Sequence, residues 1–167
     1  IKLREISFGY GDDENSIILE NVNVDVKKGD RIGIVGITGS GKSTLVDIIS
    51  GLLTPSKGNI LIDDKKLNAK SKSAWQNNIA YVHQSIYIIN GTLLENLSFL
   101  DSASKINENW AEKCINAACL DSEILQKYGI NEKSVGEGSH KLSGGQRQRL
   151  GLARGLYRNA KVLILDE

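Results

Sequence analysis

The 167-residue sequence has no methionine, one proline, two cysteines and almost no excess of either charge. Each shortage excludes something. No stretch approaches the roughly 18 uninterrupted apolar residues of a membrane span, so nothing here reads as one. Lys and Arg total 21 against 20 Asp and Glu, a net charge of +1. That balance offers no electrostatic ground for a nucleic-acid or acidic-membrane partner. Cys114 and Cys119 lie five apart in a helical pattern and so point to different faces, with no His or Cys at metal-ligand spacing. They read as small core or surface residues of a reducing compartment. The chain starts at Ile1 without methionine and stops at Glu167, directly after an apolar run with the look of a buried strand. It is therefore expected to be a piece of a longer protein. This start carries no secretory signal, and an upstream one stays open.

What is present suits a folded domain. Hydrophobic residues make up 40% and charged residues 25%, near globular norms, and the length suits one domain with its own core. Residues 1–8 and 22–26 place apolar side chains at alternate positions, as strands do, and Lys28-Gly29-Asp30 reads as a turn. Residues 31–35 form a short, nearly all-apolar run, read as a strand. Leu45, Ile48, Ile49 and Leu52 recur at helical spacing, closed by Pro55 and Gly58. Residues 59–62 and 79–82 read as strands, and Ser71, Lys72 and Ser73 as an exposed turn. From Leu93 to about Tyr128 the pattern is helical. A glycine-rich loop, a helix over 147–157 and a buried strand over 162–165 complete a mixed α/β pattern with a helical insert over about 91–140.

Gly36-Ile37-Thr38-Gly39-Ser40-Gly41-Lys42-Ser43 fits G-x-x-x-x-G-K-[ST], a pattern that chance supplies in roughly one such chain per hundred. Its expected place between a strand and a helix sharpens the match. Glycines let successive amides turn toward phosphate oxygens, and the following helix aims its positive end at the same anion. Lys42 brings a full charge to the β- and γ-phosphates, and the Ser43 hydroxyl suits the oxygen shell of Mg²⁺. The Asn-Lys-x-Asp guanine reader of GTPases is missing; Asn131-Glu132-Lys133 has the wrong order.

Leu142-Ser143-Gly144-Gly145-Gln146 precedes the second long helix. Average residue usage would place this pentapeptide in roughly one such chain per few thousand. It puts a hydroxyl and two bare glycine amides at a helix start, a second potential anion site. With the first motif it resembles the signature of ATP-binding cassette (ABC) ATPases, and the likeness runs over essentially the whole chain. The resemblance implies an α/β fold: a P-loop NTPase core, an antiparallel β subdomain and a helical insert, without the strands that follow Walker B.

The remaining family positions can be matched singly. Residues 162–167 resemble the Walker B strand: Asp166 would hold Mg²⁺, usually through water, and Glu167 would polarise the attacking water. Gln84 resembles the Q-loop glutamine, which reaches Mg²⁺ and reports nucleotide state. Tyr10 resembles the aromatic that stacks on adenine; Phe8 competes, but strand alternation turns Phe8 toward the core. The resemblance thus assigns catalysis to Glu167, Lys42 and Gln84. It assigns ATP contacts to Tyr10, Gly36, Ile37, Thr38, Gly39, Ser40, Gly41, Lys42, Ser43, Thr44, Ser143, Gly144, Gly145 and Gln146. Metal contacts fall to Ser43, Gln84 and Asp166. His83 and His140 read as surface or loop residues without a ligand role.

Two stretches resemble exporter-type members in particular: residues 81–97, running on from Gln84, and Ser134-Val135-Gly136-Glu137-Gly138, close to the exporter X-loop with Ser134 for the usual threonine. Residues 42–49, with Trp75-Gln76, look like bacterial flippases for lipid-linked glycans. The implied partners are a second nucleotide-binding domain, joined head to tail so that residues 36–44 of one copy and 143–146 of the other sandwich ATP. The other partner is a transmembrane domain, expected upstream and touched through the Q-loop and X-loop. The implied location is the cytoplasmic face of a bacterial inner membrane, reached only through that domain. The D-loop and switch histidine would lie beyond residue 167, and residues 1–167 alone are expected not to turn over ATP at a physiological rate. The alternatives are a soluble ABC ATPase of DNA repair, chromosome organisation or translation, and a nucleotide-binding module without catalysis.

Overall fold

The computed structural model describes residues 1–11, 17–99, 107–120, 122–135 and 142–166, which fall into two compact units, Ile1–Asn77 and Asn78–Glu167. In the first unit β1 (Lys2–Gly9), β2 (Ile17–Asp25), β3 (Lys57–Ile62) and β4 (Lys65–Lys66) form an antiparallel sheet in the order β2-β1-β3-β4. The alternation expected along residues 1–8 breaks once. Glu5 takes φ 52° and Asn21 φ 49°, and the β1–β2 register shifts between Leu3 and Ile6. An extra residue at a bulge reverses the inward face, so Leu3 and Ile6, three apart, are both fully buried. Helix α1 (Lys42–Ile49) packs Leu45, Ile48 and Ile49 against the core of Leu3, Ile6, Leu19 and Ile60.

Residues 71–73, expected as a turn, belong instead to helix α2 (Ala69–Gln76). Its start is fixed by a reciprocal cap. The Asn68 side chain accepts from the Lys70 and Ser71 amides at 2.9 and 3.1 Å, and Ser71 Oγ accepts from the Asn68 amide at 3.0 Å. The far end of α2 serves α1. The Trp75 indole N–H donates to Ile49 O at 2.8 Å and the Gln76 amide to Gly51 O at 3.1 Å. They satisfy carbonyls that the end of a helix leaves without internal partners.

Residues 31–35 do not form the expected strand: they pair with nothing in either sheet and are exposed throughout. Val35 and Ile37 are 92% and 83% exposed. A parallel strand takes its hydrogen bonds from neighbours, and no described residue supplies them here. Apolar composition reports a segment suited to burial; the partner is a separate requirement.

In the second unit β5 (Ile79–Val82) and β6 (Val162–Leu165) pair in parallel, from Ile79↔Val162 to Val82↔Leu165, with the bounds read from the sequence. The helical stretch 93–128 is broken into α3 (Leu93–Leu97), α4 (Glu108–Ala117) and α5 (Ser122–Tyr128). Thr92 and Asn107 cap the first two, accepting from the Glu95 and Trp110 amides at 3.2 and 2.9 Å. Helix α6 (Gly144–Tyr157) starts at Gly144 rather than at the expected Arg147. Its Leu150 and Ala153 pack with Leu93, Leu97, Ala111 and Ile115 in one core. Glycines on α6 allow close approach: a Cβ on Gly151 would lie 2.5 Å from Ile86 Cδ1, and one on Gly155 3.1 Å from Leu163 Cδ1. Cys114 is buried and Cys119 exposed, but not as two faces of one helix: Cys119 follows the end of α4 with φ 53°. Burial pushes the Cys114 thiol pKa up.

Candidate nucleotide-binding site

The cradle residues 36–44 lie at the start of α1. Gly39 and Gly41 take φ +83° and +84°, left-handed values that side chains resist. A Cβ on Gly41 would sit 2.9 Å from both Ile18 Cγ2 and Leu19 Cδ2, and one on Gly36 would sit 2.5 Å from Ser40 Oγ. Gly41 occupies the N-cap of α1, and no side chain caps that end. The first amides of the helix therefore lack the internal acceptor that Ser, Asn or Asp would bring. Lys42 Nζ bends over the loop and donates to Gly36 O and Ile37 O, both at 2.9 Å. The described ion pairs, Lys2–Asp64 and Arg4–Asp25, do not involve it. Bare amides, a tight glycine turn and a lysine held by carbonyls alone fit a polyphosphate. Ser43 is exposed and Thr44 buried. In the same unit Tyr10 stands 57% exposed just beyond β1, its ring edge-on to Phe8 at 5.0 Å. Phe8 packs against the core, the inward turn read from alternation.

The second unit holds the other candidates. Ser143 is the N-cap of α6; its Oγ accepts from the Gln146 amide at 3.2 Å while Gln146 Oε1 accepts from the Ser143 amide at 2.8 Å. This is a complete capping box. Gln84, Ser85 and Ile86 share a hollow of about 420 Å³ with Gly144, Gly145, Arg147 and Gln148. Gln84 is thus brought to the signature helix of its own chain, through the seat of Ile86 on Gly151. Asp166 follows β6, and its Oδ2 accepts from the Tyr81 hydroxyl at 3.2 Å. Carboxylate and hydroxyl oxygens such as those of Asp166 and Ser43 are the hard donors Mg²⁺ takes. His83 is exposed and stacked on Tyr81, centroids 4.1 Å apart. Glu167, Gly136, Glu137, Gly138 and His140 lie outside the described residues.

Two residues the sequence reading passed over bind the loop beyond Gln84. Asn96 is fully buried. Its amide donates to the carbonyls of Thr92, Ile89 and Gly91 at 2.9, 3.2 and 3.3 Å, and its Oδ1 accepts from the Ile89 amide at 3.0 Å. Arg154 of α6 donates to Asn96 O at 2.7 Å, Asn96 Oδ1 at 3.3 Å and Tyr87 O at 3.0 Å. Burial pushes its guanidinium pKa down. An Asn inside a short apolar helix was the available signal, since such a polar group must find partners. The two exporter-like stretches also meet. Ser134 Oγ donates to Asn90 Oδ1 at 2.7 Å and the Val135 amide to Gly91 O at 2.9 Å.

The family model described as ABC transporter matches residues 19–167. The chain belongs to the ABC transporter family. Within it the chain is the ATPase domain, with the family's P-loop NTPase fold. It is 35% identical over 167 residues to the ATP-dependent lipid A-core flippase of Wigglesworthia glossinidia brevipalpis, covering 100% of this chain and 28% of the flippase. It is 37% identical over 168 residues to the alpha-hemolysin translocation ATP-binding protein HlyB of Escherichia coli, covering 100% of this chain and 23% of HlyB. A solved bacterial Atm1-family ABC exporter with ATP bound superposes with a TM-score of 0.85 at 28% identity, over 99% of this chain and 28% of the exporter. The chain thus spans about a quarter of the length of these ABC relatives. No helix among the described residues is long and apolar enough to cross a membrane.

Proposed function

We propose that this ABC domain binds and hydrolyses ATP to drive export, or flipping of a lipid-linked substrate, across a membrane. The observation that carries the reading is the cradle: uncapped α1 amides under Lys42, whose ammonium among the described residues donates to carbonyls of the cradle itself. Phosphate oxygens offer the ammonium a charged acceptor in place of two neutral ones, a stronger bond. Residues 36–44 hold the phosphates, Tyr10 stacks on adenine, Gln84 reaches Mg²⁺ and reports nucleotide state, and Glu167 polarises the attacking water. The Ser43 hydroxyl, the Gln84 amide and the Asp166 carboxylate would hold Mg²⁺, which would supply charge neutralisation at the phosphates. Two copies close head to tail, each lending residues 143–146 to the other's ATP, and ATP shifts the open–closed equilibrium by bridging them.

Export rather than soluble work is favoured by the exporter-like stretches, tied together at Asn90–Ser134 and Gly91–Val135, and by the named relatives, a flippase and a translocation protein. The domain then works at the cytoplasmic face of a bacterial inner membrane, which it meets through a transmembrane domain, and it takes no nucleic acid. The test is the full-length protein in proteoliposomes. Mg²⁺- and ATP-dependent movement of a fluorescent lipid or lipid-linked glycan, lost in Lys42→Ala, supports the reading. ATP turnover with no movement of any lipid or peptide tried supports ATPase work without export; absence of turnover overturns the reading altogether.

A further inference from the structure

A parallel ladder fixes which side chains share a face. Tyr81 lies opposite Ile164 in the β5–β6 register, and alternation returns Asp166, two residues on, to the side of Ile164. His83 returns in the same way to the side of Tyr81. All three therefore gather on one side of the carboxyl ends of the two strands, the end at which open α/β sheets bind their ligands. Two bonds hold Asp166 there. Its amide donates to Val82 O at 3.0 Å, carrying the ladder one residue past β6, and its Oδ2 accepts from the Tyr81 hydroxyl at 3.2 Å. The Tyr81 ring is itself braced, half-buried and stacked on His83 at 4.1 Å with 29° between the planes.

We infer that Tyr81 is a positioning residue for the metal site: its hydroxyl fixes the Asp166 carboxylate so that Oδ1 faces the cation's water shell. The inference rests on the reading that Asp166 holds Mg²⁺. The chemistry favours a tyrosine in this place. A lysine or arginine would fix the carboxylate too, but would cancel the negative charge a cation needs. A phenol is a neutral donor, so it orients the group and leaves its charge in force. Hydrogen-bond partners of metal-ligating groups commonly set metal affinity in this way.

Tyr81→Phe deletes the hydroxyl and keeps the ring that packs and stacks. In the full-length protein with ATP, Mn²⁺ binding followed by electron paramagnetic resonance should weaken about tenfold in this variant. Binding of a fluorescent ATP analogue without metal should stay at the wild-type level, and saturating Mg²⁺ should restore turnover, a split between metal affinity and rate. Asp166→Asn run in parallel separates the two ideas. If Asp166→Asn weakens Mn²⁺ binding and Tyr81→Phe does not, the role of Tyr81 is overturned while that of Asp166 stands. If neither variant moves the Mn²⁺ midpoint, the Asp166 reading falls and this inference with it. If Tyr81→Phe also loses metal-free ATP binding, the hydroxyl acts through the fold and not through Asp166, which overturns the inference as well.

Discussion

The two glycine-rich helix starts, one in each unit, look alike in sequence and are built differently. Helix α6 begins on Ser143, whose side chain and that of Gln146 satisfy each other's backbone amides. Helix α1 begins on Gly41 with no side-chain cap, and its lysine rests on the loop's own carbonyls. The signature end thus has one of its first amides satisfied by its own cap, whereas no side chain competes for the first amides of the cradle helix. A helix N-terminus binds anions only with donors left to give. Under the proposed function, this contrast favours a first capture of phosphate by residues 36–44 and a later, closing contact by residues 143–146.

Substitutions can break this contrast from either side. The largest effect should come from beneath the signature helix. Asn96→Leu leaves both the carbonyl and the amide of Ile89 without their side-chain partner and takes one acceptor from the buried Arg154 guanidinium, a loss of about 3 kcal/mol. Hydrogen exchange of the α6 amides in the full-length protein should accelerate to match, with α1 unchanged. On the other side, Gly41→Ala forces a left-handed residue against Ile18 and Leu19 and should cost about 1–3 kcal/mol, read in the exchange of the α1 amides. Unchanged α1 protection would mean that the turn is not held by its glycine. Ser143→Ala removes one cap and should loosen the first turn of α6 by about 1 kcal/mol. The corresponding residue of α1 has no cap to lose.

The smallest effect should come from outside both sites. The Arg4 guanidinium, through its hydrogen bond, holds the Asp25 carboxyl pKa below its ordinary value, and Lys2 does the same for Asp64. A carboxylate with a depressed folded-state pKa stabilises the fold above its unfolded value of about 3.9, and that contribution fades as pH falls further. These pairs are solvent-exposed and screened by salt. Asp25→Asn should leave stability near pH 7 almost unchanged and flatten the loss below about pH 4. An acid profile identical to wild type would show that the pair contributes nothing.

The elements legible in the sequence were those whose pattern is local. The bounds of β5 and β6 followed from short apolar runs, the cradle from its motif, and the signature from its resemblance to the family. Helix α2 was hidden because Lys70, Ser71, Lys72 and Ser73 read as polar turn residues; its signal was the Asn68–Ser71 cap and the single buried Trp75. The breaks in the 93–128 stretch lay in caps at Thr92 and Asn107, which apolar periodicity does not report. Residues 31–35 failed in the other direction, since a strand needs a partner as well as a composition. Asp166 could be named from its motif, but Tyr81 could not, because its nearness to Asp166 exists only once β5 and β6 are in register.

The central claim is that the cradle captures ATP and the signature acts after it. Equilibrium binding of a fluorescent ATP analogue to the full-length protein tests it most directly, comparing Lys42→Ala with Ser143→Ala. The account predicts that Lys42→Ala weakens binding about a hundredfold or more, by loss of a charge-assisted contact. Ser143→Ala should stay within about threefold of wild type for binding and lose hydrolysis instead. Equal losses of binding in the two variants, or a larger loss in Ser143→Ala, would contradict it.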